Sequence, residues 1–83
     1  MRITVRTAGL LGEYLPPGST RNRAELDVTD AVTPRDVIVL LGMPENDRYL
    51  VSLNGELVTE KRRTEVILAD GDELSIMPPL KGG

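Results

Sequence analysis

Apolar and polar positions alternate from the second residue onward. In RITVRT, Ile3 and Val5 fall on one side and Arg2, Thr4 and Arg6 on the other. A period of two is that of a strand with one face buried, so Arg2–Thr7 is read as a half-buried strand. In GLLGEYL, residues Leu10, Leu11, Tyr14 and Leu15 stand at helical offsets, which predicts a short helical turn. PPGSTRN then breaks the pattern with an exposed loop. Alternation returns in RAELDV, residues 23–28, with Ala24, Leu26 and Val28 inward. This segment is the return strand of a hairpin with a long connection.

VTPRDVIVLLGMP carries the helix signal. Thr33 suits the N-cap, Pro34 the first helical position and Asp36 the acid of a capping box. Gly42 suits the left-handed position after the last turn, and Pro44 prevents the helix from resuming. The run DVIVLL is β-branched and strand-like on its own, but caps at both ends favour helix, with Val37, Leu40 and Leu41 expected toward the core. YLVSLNGELV carries the hairpin signal, since Asn54-Gly55 between apolar runs suits a two-residue type I′ turn. Tyr49, Val51 and Leu53 share one face of its first strand, and Leu50 and Ser52 the other. TEKRRTE reads as a polar connection. VILADGDELSIM reads as a further apolar stretch, a hairpin turn at Asp70-Gly71-Asp72 and a last strand with Leu74 and Ile76 inward and Ser75 and Met77 outward.

The order is strand, strand, helix and then several strands. One helix across one face of a sheet buries one apolar face of each layer. The first and last strands both suit a central position. The expected fold is therefore α+β, a β-grasp with a mixed sheet of four to five strands and one main helix. Residues 1–77 form the domain, and residues 78–83 a flexible C-terminal tail.

Composition narrows the chemistry. At 83 residues the chain is one small domain. Such a domain buries roughly 60–65% of the surface its unfolded chain exposes, which leaves little room for a deep cleft. With 40% hydrophobic and 28% charged residues it is an ordinary globule, and with Tyr14 and Tyr49 as its only aromatics the core must be aliphatic. Cysteine and histidine are absent, which removes disulfides, thiolate nucleophiles, zinc-finger ligand sets and imidazole acid–base chemistry together. A net charge of −3 argues against nonspecific nucleic-acid binding. No apolar run approaches the ~18 residues of a membrane span, and the N-terminus lacks an apolar signal segment, so a cytoplasmic location is expected. The chain has no nucleophile–base pair and no phosphate-binding loop, which predicts that it is not itself an enzyme.

Several side-chain groups have a bland reading beside a functional one. Lys61-Arg62-Arg63 is read as a solvated loop rather than an electrostatic docking site. Asp70, Asp72 and Glu73 are read as turn residues and not a metal site. Leu50 and Met77 face outward by alternation, and Pro79 and Leu80 continue that surface, so these four form a candidate partner-docking patch.

The chain ends on MPPLKGG. An ionised C-terminal carboxylate, with a pKa of about 3.3–3.7, is a poor electrophile and needs activation, such as conversion to an acyl-adenylate, before sulfide or a thiol can attack it. Gly82 and Gly83 lack a Cβ and fit a channel too narrow for any side chain. Pro78 and Pro79 restrict φ just upstream and stiffen the base of the tail. Pro78, Pro79, Leu80, Lys81 and Gly82 are thus candidate threading residues for delivery of Gly83 into another enzyme.

LVSLNGELV, DGDELSIMPPLKGG and the β-β-α-β order together resemble the MoaD/ThiS family, the sulfur carriers of the ubiquitin-like superfamily. The resemblance implies that Gly83 is adenylated and then thiocarboxylated by a ubiquitin-activating-type adenylyltransferase, which uses the ATP; the carrier itself binds no cofactor. It implies a second partner, the molybdopterin synthase large subunit or another sulfur-acceptor enzyme. PP-x-x-GG is more similar to the molybdopterin branch than to the thiamine-thiazole branch. The thiamine-thiazole carrier, a ubiquitin-like modifier conjugated through the same glycine and a noncovalent adaptor with an idle tail remain alternatives.

Overall fold

The computed structural model describes residues 1–44 and 49–78. Its order is β1 (Arg2–Thr7), a 3₁₀ turn (Gly9–Tyr14), β2 (Arg23–Asp27), α1 (Pro34–Leu40), β3 (Leu50–Leu53), β4 (Glu56–Val58), a second 3₁₀ turn (Lys61–Thr64) and β5 (Glu73–Met77). The five strands form one sheet in the order β2-β1-β5-β3-β4. β1 and β5 are parallel, and every other pair is antiparallel. The first and last strands thus occupy the centre, as the alternation of Ile3/Val5 and Leu74/Ile76 predicts.

The inward rows are aliphatic. Val5, Val51, Leu74 and Ile76 are fully buried, joined by Ile3, Ala24, Leu26 and Val58. Removing a Val or Ile side chain from water contributes about 1.5–3 kcal/mol each, which makes this layer the main source of stability. α1 covers it. Thr33 accepts from the Asp36 amide through its hydroxyl, while the Asp36 carboxylate accepts from the Thr33 amide at 2.9 Å, a complete capping box. Gly42 follows with φ of 75°, where a side chain would be strained.

Leu40 departs from expectation. It is 65% exposed, and Ile38 is buried instead. The buried stripe runs Pro34, Val37, Ile38 and Leu41, the i, i+3, i+4, i+7 set of a single face, and Leu40 falls beside it. The stretch 66–69 forms no strand. Leu68 is buried and its amide donates to Val32 O at 2.9 Å, whereas Ile67 is 57% exposed. The Asp70-Gly71-Asp72 turn therefore closes no hairpin. It feeds β5 into the sheet and is tied to β1, with Gly71 N donating to Arg2 O and Thr4 N to Asp72 O. The Asn54-Gly55 turn is as expected. Both residues have positive φ, 50° and 88°, as a type I′ turn requires.

The basic run is only partly solvated. Lys61 and Arg62 are exposed, but Arg63 is half-buried and its guanidinium donates to Tyr49 O. The Tyr49 hydroxyl donates in turn to Pro44 O at 2.8 Å, so both ends of the α1–β3 connection are held to the domain.

Candidate functional site

Two places invite a site. The first is an open groove of about 420 Å³ between residues 16–20 and the start of β2, with Ser19 and Thr20 on its wall. Both hydroxyls donate locally, Ser19 Oγ to Pro16 O at 2.6 Å and Thr20 Oγ1 to Arg23 O at 3.1 Å. Both hydroxyl protons are thus committed to backbone carbonyls, and among the described residues neither is hydrogen-bonded to a side-chain base.

The second is the sheet face opposite α1, and the C-terminal strand leaves from it. Leu50 pairs with Met77 across β3 and β5 in the last rung before Pro78. Leu50 is 38% exposed and Met77 half-buried. Beside them Ser52 pairs with Ser75 on one side and with Leu57 on the other, and Leu57 is 68% exposed. Three apolar side chains and two serines thus make a neutral half of the face next to the exit of β5. The other half is charged. Arg2 pairs with Asp27 at 3.1 Å and Arg6 with Glu73 at 3.2 Å. The hydrogen bond between Arg2 and Asp27, helped by their opposite charges, raises the guanidinium pKa and lowers that of the carboxyl.

The start of β5 is fixed by a polar knot. Asp70 Oδ1 accepts from Arg2 N at 2.7 Å, and Asp72 Oδ2 accepts from Ala69 N at 2.8 Å. Asn54 donates through Nδ2 to Asp72 Oδ1 at 2.9 Å and accepts from Glu73 N through Oδ1 at 2.8 Å. The two aspartates thus serve backbone amides. Among the described residues no group of three potential metal ligands occurs, and no helix is long and apolar enough to cross a membrane.

Of the expected site residues, Leu50 and Met77 come together, and Pro78 follows them, exposed. Pro79, Leu80, Lys81, Gly82 and Gly83 lie outside the described residues. Leu57 was not expected. Its signal was present, because a two-residue turn at Asn54-Gly55 sets Ser52 opposite Leu57 and alternation then turns Leu57 outward.

The model of the ThiS family matches residues 17–83. The chain belongs to the ThiS family. This membership takes in the hairpin, the β5 turn and the terminal Pro-Pro and Gly-Gly pairs. No curated protein matches. Among solved structures the chain is similar to three, with 100% of both chains covered in each case. These are the thiamine biosynthesis protein ThiS of Geobacter metallireducens (18% identity, TM-score 0.67), SAMP1 of Haloferax volcanii (24%, 0.70), and a protein–protein complex of subunits 1 and 2 of the molybdopterin-converting factor from Helicobacter pylori (22%, 0.62). At these identities the likeness concerns the fold, and it agrees with the mixed five-stranded sheet and single helix seen in this ThiS-family chain.

Proposed function

We propose that this ThiS-family chain is a cytoplasmic sulfur carrier in molybdopterin biosynthesis, working through the carboxylate of Gly83. The observation that carries the reading is the exit of β5. The strand lies at the sheet centre, ends at Met77 beside Leu50, and continues into the Pro-Pro and Gly-Gly motifs within the family match.

The chemistry follows from the carboxylate. In the active site of a ubiquitin-activating-type adenylyltransferase, a Gly83 oxygen attacks the α-phosphorus of ATP and pyrophosphate leaves. Sulfide then attacks the carbonyl carbon of the acyl-adenylate, AMP leaves, and a thiocarboxylate results. The chain supplies the acyl group and no catalytic side chain. Its neutral sheet half docks on the partner and holds the reacting carbon in place, which converts the attack into an effectively intramolecular step. The same face then presents the sulfur to the molybdopterin synthase large subunit. The PP-x-x-GG pattern of Pro78, Pro79, Gly82 and Gly83 supports this branch.

The thiamine-thiazole pathway is a second reading, favoured by the family matched and by the likeness to the Geobacter protein. Intact mass of the chain after incubation with adenylyltransferase, ATP and sulfide tests the shared chemistry. The expected result is a gain equal to one oxygen replaced by sulfur, absent when Gly83 is deleted. An unchanged mass overturns the carrier reading. Loss of the gene then separates the branches, giving either molybdoenzyme deficiency or thiamine auxotrophy, while lysine-linked conjugates in lysate indicate a protein modifier.

A further inference from the structure

One row of side chains crosses the whole open face. Leu57, Ser52, Ser75, Arg6 and Arg23 sit in register on β4, β3, β5, β1 and β2. At ~4.8 Å per strand the row is about 19 Å long. It is apolar at one end, narrow and hydroxylated in the middle, and doubly cationic at the other.

The cationic end is unfavourable in the free domain. Thr7 N donates to Asn22 O, and at the far end Met1 and Val28 exchange two bonds. The alternation of an antiparallel ladder then makes Arg6 and Arg23 a non-hydrogen-bonded pair, the closer kind, with Cα atoms ~4.5 Å apart. Like charges directly opposite one another destabilise a sheet. Arg6 is relieved by Glu73 at 3.2 Å. Arg23 is exposed, and among the described residues no carboxylate pairs with it. Its neighbour on the same face of β2 is Glu25, and among the described residues no ion pair joins the two.

We infer that the Arg6–Arg23 end of this row receives a carboxylate-bearing surface of the adenylyltransferase, while Leu57, Leu50 and Met77 receive its apolar part. The assignment rests on the carrier reading and adds the chemistry of the partner surface to it. A guanidinium binds a carboxylate through two parallel hydrogen bonds, which fixes direction as well as position. A row with an apolar end and a charged end can be docked in one orientation only, so the charged end decides which way the β5 exit faces.

The test is carrier-dependent ATP–pyrophosphate exchange by the adenylyltransferase of the same organism. It uses the full-length chain, Arg23→Glu, Arg23→Ala and a control, Lys61→Glu, which makes the same charge change as Arg23→Glu in the turn that packs against α1. For Arg23→Glu the half-saturating carrier concentration is expected to rise about tenfold at low ionic strength, with an unchanged maximal rate and a smaller effect in high salt. Its thermal midpoint should equal or exceed that of the native chain, because the introduced carboxylate would face Arg6. A purely structural Arg23 would instead lower the midpoint. The inference is overturned if Arg23→Glu and Lys61→Glu shift the curve equally, or if the loss tracks a lowered midpoint. No exchange with the native chain removes the carrier reading and this assignment with it.

Discussion

Leu50 and Met77 face each other in the rung of β3 and β5 that immediately precedes Pro78. Their side chains lie opposite the buried rows of Val51 and Ile76, so they contribute little to the core, and on the proposed carrier reading they are the side chains a partner drawing in the C-terminus would touch. Met77→Asp is expected to leave thermal unfolding within about 1 kcal/mol of the native chain. The same change weakens docking by about 2 kcal/mol or more, as a central apolar contact does. Circular dichroism checks the first value and carrier-dependent pyrophosphate exchange the second.

Ile76→Ala should behave in the opposite way. Ile76 is fully buried on the central strand, and deleting its side chain costs about 2–5 kcal/mol. That is a large part of the ~5–15 kcal/mol that holds a small domain together. Urea unfolding is expected to show a much lower midpoint with an unchanged slope.

The capping box gives a smaller effect. α1 is only seven residues long, too short to persist without tertiary support and its cap. Thr33→Ala removes the hydroxyl that accepts from Asp36 N and should destabilise the domain by about 1 kcal/mol. Thr33→Ser should restore most of it, as read from denaturant midpoints.

Gly12→Ala tests a close approach in the first 3₁₀ turn. A Cβ there would lie 2.3 Å from Arg21 O, a backbone atom that cannot swing away. The chain must shift, at an expected cost of about 1–3 kcal/mol. Because Thr7 N donates to Asn22 O beside this contact, amide exchange should quicken at residue 7 first.

The Arg2–Asp27 pair predicts a pH dependence. The folded state holds the Asp27 carboxyl below its ordinary value. Stability from the pair is therefore present above the unfolded-state pKa and is lost as pH falls through the lowered, folded-state value. Both groups are solvent-exposed, so the effect is small and shrinks in salt. The difference in thermal midpoint between the native chain and Asp27→Asn should narrow as the solution is acidified through that range.

Much of this architecture was legible in the sequence because several signals agreed locally. Thr33, Pro34, Asp36 and Gly42 bracket a helix whose interior residues prefer strand, and the caps prevailed. Asn54-Gly55 fixed both a turn and a register. Errors arose where a tertiary neighbour decided the outcome. Leu40 and Ile38 are equally apolar, and only the position of the sheet selects Ile38 for burial. Residues 66–69 have the apolar content of a strand, but Leu68 is bonded to Val32 across the domain and β4 is already an edge. Arg63 looked like one of three solvated cations, and its bond to Tyr49 O depends on a contact 14 residues away in sequence. At the site, the outward pair Leu50 and Met77 followed from alternation alone. The juxtaposition of Arg6 with Arg23 required the register of β1 on β2, which a long, irregular connection leaves unspecified.

The central parallel ladder has a mechanical side. β5 is flanked by β1 on one edge and β3 on the other, and traction applied beyond Met77 acts along its own axis. Such a load shears both ladders, so their rungs bear it together and none is peeled open ahead of the rest. On the proposed carrier reading, an enzyme that hauls on the last residues would meet a domain that stays folded while it is towed.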